Sequence, residues 1–237
     1  MSDFNITLYV DQDSIDYLNQ NKYYLYGIKF LATQFPASPL IWFTDEVLLK
    51  STRLQWNKTY QAFISTQLDY RSGTVIIAYS SKAKADVIPS ASSEDIKLGQ
   101  EMIVGDNGAL SIQNGQVAQI VIVSKTTNTR YSFGLNQSLD SSPPTPLFIA
   151  QILSGESKIM MPITEKVLLT FSQIDPPLQT STVVDKAFAP GILISLSSAE
   201  TSREVTYDIN GDGWGPINQE WITEITAGDD LTGIYNG

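Results

Sequence analysis

The chain has 237 residues, of which 42% are hydrophobic and 17% charged, so it can bury a sizeable core and is too apolar for intrinsic disorder. It contains neither cysteine nor histidine, which excludes disulfides, thiolate or imidazole zinc sites and every catalytic triad that depends on imidazole. Its net charge is -10 and its fifteen Lys and Arg residues form no patch in the sequence, so we expect no nucleic-acid partner.

Short runs of alternating apolar and polar residues, separated by Gly, Pro, Asn, Asp and Ser, predict an all-β protein. No amphipathic helical pattern is sustained over ten residues, although 13–18 is compatible with one helical turn. Asn107-Gly108 and Asn114-Gly115 favour tight turns, so 105–116 is predicted to be a hairpin linking two halves. The predicted strands are 5–10, 23–32, 39–43, 59–66, 74–80, 101–104, 116–124, 130–135, 147–152, 166–172, 191–197 and 203–209.

The chain shows weak self-similarity at an offset of 107 residues. Asn21, Tyr24, Gly27, Pro36, Pro39, Leu40 and Ser65 correspond to Asn128, Tyr131, Gly134, Pro143, Pro146, Leu147 and Ser172. This predicts two tandem, related β-sandwich-like halves with a pseudo-twofold relation, residues 1–115 and 116–237, or one large duplicated β-sandwich. Coincidence among turn-forming residues is the alternative explanation.

The segment 208–213 matches the first half of a calcium-binding loop. Asp208, Asn210 and Asp212 place oxygen atoms at alternate positions, and Gly213 permits a sharp turn. We expect Glu220 to act as a further metal ligand, although the twelfth position of the motif holds Gln219. The alternative is a simple hairpin loop, because Asn-Gly and Asp-Gly supply the backbone conformations that such loops require.

Aromatic rings beside Asp, Asn and Gln are the usual means by which a β protein holds a sugar. Trp214 and Trp221, with Asn218 and Gln219 between them, are therefore the predicted ligand-binding residues. Trp214 has glycine on both sides, and we expect its side chain to be exposed. Trp42 and Trp56 lie in apolar runs and are predicted to be core residues.

These features favour a non-enzymatic, lectin-like protein that recognises a carbohydrate or cell-surface glycan with possible help from calcium. One alternative is a membrane-active, toxin-like protein that binds a membrane surface and forms a homo-oligomer. Others are a self-assembling structural or storage protein and a glycosidase that uses two carboxylates. No basic and apolar leader is visible at the N-terminus, so we expect a cytoplasmic protein or one released without a conventional signal peptide.

Overall fold

A computed structural model describes residues 3–78, 91–127 and 130–236. Strands account for 52% of the residues and helices for 7%, which confirms the all-β class. In chain order the elements are β1 Asp3–Val10, α1 Gln12–Gln20, β2 Tyr24–Thr33, β3 Ser38–Pro39, β4 Ile41–Asp45, β5 Ser51–Asn57, β6 Tyr60–Ser65, β7 Ala91–Ile96, β8 Gln100–Val104, β9 Leu110–Asn114, β10 Ile120–Ser124, β11 Tyr131–Gln137, β12 Thr145–Pro146, β13 Phe148–Ile152, β14 Ser157–Ser172, β15 Gly191–Leu196, β16 Ser202–Asp208, β17 Gly213–Gly215 and β18 Ile222–Ile225. Short 3-10 helices cover Asp106–Gly108 and Thr232–Asn236.

The helix α1 is longer than the single turn that the sequence suggests. Asp11 caps its N-terminus, where the side chain accepts a hydrogen bond from the backbone N–H of Ser14 at 3.0 Å. Ile15 and Leu18 are buried one turn apart, while the polar residues that follow stay exposed. Three buried positions and a cap are therefore enough to extend the helix into a polar segment.

The strands form three sheets. The first has the order β17-β16-β1-β5, and the second has the order β18-β15-β14-β10-β8-β9, with β2 paired to β14 and to β4. The third has the order β3-β13-β11-β6-β7, with β12 paired to β11. Each sheet contains strands from both sides of residue 115, so the two halves are not separate folding units. The predicted boundary falls between β9 and β10.

Several element boundaries repeat at the offset of 107 residues seen in the sequence. The strands β2 and β11 begin at Tyr24 and Tyr131, β3 and β12 end at Pro39 and Pro146, and β4 and β13 cover 41–45 and 148–152. Corresponding strands also have corresponding partners in the other half, since β2 pairs with β14 while β11 pairs with β6. In the same way, β1 lies parallel to β16 and β10 lies parallel to β8.

The core confirms one group of sequence predictions and leaves another incomplete. Trp42 and Trp56 are buried, as expected. The pattern of alternation did not predict β5, β7, β17 or β18, which are edge or near-edge strands with many polar residues. Within the predicted strand 74–80, residues 74–78 form an isolated bridge from Val75 to Thr182, and 79–80 lie outside the described residues.

Candidate functional site

A groove of about 450 Å³ lies between the edge strand β17 of the first sheet and the edge strand β18 of the second. Its volume falls within the usual range for small-ligand sites. We call this feature the aromatic groove, and its lining residues are Tyr23, Phe171, Pro190, Gly191, Ile192, Tyr207, Asp212, Gly213, Trp214, Glu224, Ile225 and Thr226.

Three packed rings form one wall of the aromatic groove. The ring of Phe171 lies parallel to the indole of Trp214 at 5.1 Å and at an angle to the ring of Tyr207 at 4.7 Å. Tyr207 and Trp214 meet edge to face at 5.0 Å, because they are paired residues on β16 and β17. Burial raises the pKa of the Tyr207 phenol, with smaller contributions from Tyr23 and Tyr17, so the phenol stays neutral at neutral pH.

The prediction that Trp214 is exposed was wrong. Only 9% of its surface is accessible, because the β16–β17 hairpin folds its indole onto Phe171. Glycine neighbours are as compatible with a tight hairpin as with an exposed loop, and sequence alone does not distinguish the two. The indole still borders the groove, so one part of the ring packs and another part faces the space inside.

Two exposed acidic residues, Asp212 and Glu224, line the same groove on opposite sides. Asp212 belongs to the turn between β16 and β17, and Glu224 belongs to β18. The groove therefore combines an aromatic wall with carboxylate acceptors, the pairing that sugars require for an apolar ring face and its hydroxyl groups.

The predicted calcium ligands are partly used by their own turn. The Asp208 carboxylate accepts hydrogen bonds from the backbone N–H groups of Asn210 at 2.9 Å and Gly211 at 3.1 Å. Asn210 and Asp212 are exposed, and Glu220 lines a different cavity. Within the described ranges, no group of three or more acidic side chains is placed to hold a metal ion. Calcium binding by this loop stays a prediction without geometric support.

The second predicted tryptophan lies at the other end of the same strands. Trp221 and Glu220 line a cavity of about 250 Å³ with Arg203, whose guanidinium carbon lies 4.7 Å from the centre of the indole. Arg203 and Tyr207 stand four residues apart on β16, so the two cavities are separated by roughly 13 Å along the strand. Asn218 and Gln219 are exposed in the connecting loop and line neither cavity. The predicted ligand-binding set is therefore divided between two places.

A buried polar cluster was missed by the sequence analysis. Lys29 on β2 and Glu165 on β14 are both 0% exposed, and their charged atoms lie 2.6 Å apart. Lys29 also donates to the side-chain oxygen of Gln137, while the Trp56 indole N–H donates to Glu165. We call these residues, with Tyr60, the Lys29 cluster.

Aromatic rings close the Lys29 cluster. The Lys29 ammonium lies 4.3 Å from the centre of the Trp56 ring and 4.9 Å from that of Trp42, within cation–π range. The Tyr60 hydroxyl donates to the second oxygen of Glu165 at 3.1 Å. Burial lowers the pKa of Lys29 to about 8, although Glu165 opposes the shift. The signal available in the sequence was a single Lys within the apolar run 24–33.

A third cavity, of about 190 Å³, lies on the third sheet beside Asn136, and we call it the Asn136 cavity. Its lining residues are Thr59, Tyr60, Gln61, Asp95, Ile96, Lys97, Asn136, Ser138 and Pro144. The Asn136 side chain is 0% exposed, and neither its nitrogen nor its oxygen has a hydrogen-bond partner among the described residues. This residue also gave no signal in the sequence, since one Asn at a strand end is unremarkable there.

No family model, curated protein or solved structure matches this chain. In the part of the chain that the structure describes, the helices are too short or too polar to cross a bilayer. The functional reasoning therefore depends on the cavities themselves.

Proposed function

We propose that the protein is a non-enzymatic carbohydrate-binding protein and that the aromatic groove holds the glycan. The observation that carries this proposal is the contact of Trp214, Tyr207 and Phe171 along a groove that also contains Asp212 and Glu224. The rings offer an apolar surface to one face of a sugar, and the carboxylates accept hydrogen bonds from its hydroxyl groups.

Binding is favoured over hydrolysis by the environment of the two acids. A general acid in a glycosidase is a carboxyl group that its surroundings keep protonated, usually in an apolar pocket. Asp212 and Glu224 are both exposed to water. Their position suits hydrogen bonding to hydroxyl groups better than proton donation to a leaving group.

A glycan array tests the proposal. We expect the wild-type protein to bind a defined set of glycans, and the double variant Asp212→Asn, Glu224→Gln to bind them roughly tenfold more weakly, because each change removes an acceptor. The matched control is Glu220→Gln, which alters an exposed acid in the Trp221 cavity and should leave binding unchanged. No binding to any glycan, or equal loss in the control, would remove the groove from consideration.

The same array, repeated with a chelator, tests the calcium prediction. Loss of binding in chelator would show that an ion assists recognition, and unchanged binding would leave Asp208 with its role in the turn. Hydrolysis of any bound glycan during incubation would favour the glycosidase alternative instead. No described feature specifically supports the toxin-like or storage alternatives.

We also infer that the two halves derive from one repeated unit whose copies exchange strands. The support is the shared offset of 107 residues at several strand ends, together with the reciprocal pairing of β2 with β14 and of β11 with β6. Fragments 1–115 and 116–237 should then be unfolded when expressed alone and should form a folded complex when expressed together. Cooperative unfolding of either fragment by itself would contradict strand exchange.

A further inference from the structure

The Asn136 cavity contains polar atoms for which the fold supplies no partner. Both polar atoms of the Asn136 amide are buried and unpaired among residues 3–78, 91–127 and 130–236, and the same is true of the Gln61 side-chain oxygen. Nearly all buried polar groups in proteins are hydrogen-bonded, so an amide that is left unpaired on both sides needs an explanation. Here all three atoms belong to residues that line one cavity.

The unpaired groups belong to a row that crosses three strands. Asp95 on β7 is paired with Gln61 on β6, and Gln61 is paired with Asn136 on β11, so the three side chains point to one face of the sheet. The Gln61 side-chain nitrogen donates to Asp95 at 2.9 Å, which fixes the orientation of the Gln61 amide. Its oxygen is therefore left as an acceptor beside the donor and the acceptor of Asn136.

We propose that the Asn136 cavity binds one neutral monosaccharide unit, independently of the aromatic groove. A hydroxyl group both donates and accepts, so two neighbouring hydroxyls on a sugar ring satisfy the nitrogen and oxygen of Asn136, and a third can donate to Gln61. The volume of about 190 Å³ corresponds to roughly six water molecules, which is close to one sugar ring with its substituents.

Charge and apolar contacts in the cavity agree with a neutral sugar. Asp95 and Lys97 both line it, so their opposite charges favour a ligand without net charge. Tyr60 and Pro144 supply apolar surface beside the polar row.

The first test is the stability of Asn136→Leu without any sugar. The substitution removes an unpartnered buried amide and adds apolar volume next to an existing cavity, so we expect the melting temperature to rise by about 3 °C. A fall in the melting temperature would show that the amide already stabilises the fold, and an unchanged value would show that it is already satisfied, for example by water. Either result would overturn the proposal.

The second test measures protection by D-glucose, D-galactose, D-mannose, L-fucose and N-acetyl-D-glucosamine, each as the free sugar and as its methyl glycoside. At least one should raise the melting temperature of the wild type but not that of Asn136→Leu. Protection by the methyl glycoside indicates a terminal residue of a glycan, and protection by the free sugar alone indicates a free monosaccharide. The groove variant Trp214→Phe should keep the protection. Absence of protection in the wild type, or equal protection of Asn136→Leu, would overturn the proposal.

Discussion

Lys29 and Asn136 occupy corresponding positions, 107 residues apart on β2 and β11, yet their surroundings are opposite. Both are 0% exposed polar residues on otherwise apolar buried strands. Lys29 has Glu165 and Gln137 as hydrogen-bond partners and two indole rings around it. Asn136 has no side-chain partner among the described residues and borders a cavity.

The comparison shows that burial alone does not define the role of a polar residue. A buried group whose partners are all supplied by the chain is part of the fold, and removing it leaves those partners unpaired. A buried group whose partners are missing weakens the fold and is retained for another reason, usually binding. Substitutions at the two positions should therefore change stability in opposite directions.

The largest effect is expected for Lys29→Met. The change leaves the Glu165 carboxylate buried without its cation, which should lower the free energy of unfolding by about 3–5 kcal/mol. Urea denaturation measures the loss. The double variant Lys29→Met, Glu165→Met should recover most of it, because both charges are then absent. A loss below about 1 kcal/mol in the single variant would mean that the pair is not essential to the fold.

Alanine at the corresponding glycines Gly27 and Gly134 tests whether the halves tolerate the same change. A Cβ at Gly134 would overlap the backbone oxygen of Phe148, whereas a Cβ at Gly27 would overlap the ring of Phe43, which is able to move. We expect Gly134→Ala to cost about 3 kcal/mol and Gly27→Ala about 1 kcal/mol, measured by urea denaturation. The reverse order would show that the Phe43 ring is held as firmly as backbone.

Tyr60 connects the two regions, because its hydroxyl bonds Glu165 while the residue also lines the Asn136 cavity. Tyr60→Phe should lower the free energy of unfolding by about 2 kcal/mol, since a hydrogen bond to a buried carboxylate is lost. Tyr9→Phe is the matched control, because Tyr9 makes a similar bond to Glu204 on the surface and should cost almost nothing. Protection by a monosaccharide should survive in Tyr60→Phe, and its loss would show that the hydroxyl contacts the sugar.

Sequence patterns predicted the features that depend on local alternation. The all-β class, most central strands and the burial of Trp42 and Trp56 follow from apolar periodicity. The polar edge strands β5 and β7 were missed because their apolar residues are few and their pairing is supplied by neighbours distant in the sequence.

The candidate sites were harder to predict because they are formed by tertiary pairing. Trp214 borders a groove only because β17 meets β18 across two sheets, and Trp221 belongs to another cavity despite its proximity in sequence. The partner of Lys29 lies 136 residues away, and the unpaired state of Asn136 depends on what surrounds it rather than on its neighbours along the chain.

The smallest predicted effect is a pH dependence that belongs to Lys29 and has no counterpart at Asn136. Burial lowers the folded-state pKa of Lys29 to about 8, against an ordinary value of 10.5. Between these values the unfolded chain holds a proton that the folded chain has released, so raising the pH favours the folded state. Burial and Glu165 raise the pKa of Tyr60 well above 10.0, so Tyr60 acts in the opposite direction only at higher pH.

We therefore expect the free energy of unfolding to rise by about 1 kcal/mol between pH 8 and pH 10, with urea denaturation at fixed ionic strength as the measurement. Asn136→Leu should show the same rise, because no titrating group is changed. Lys29→Met, Glu165→Met should show none. If the double variant kept the rise, some group other than Lys29 would be responsible, and if the wild type lacked it, Lys29 would titrate as it does in water despite its burial.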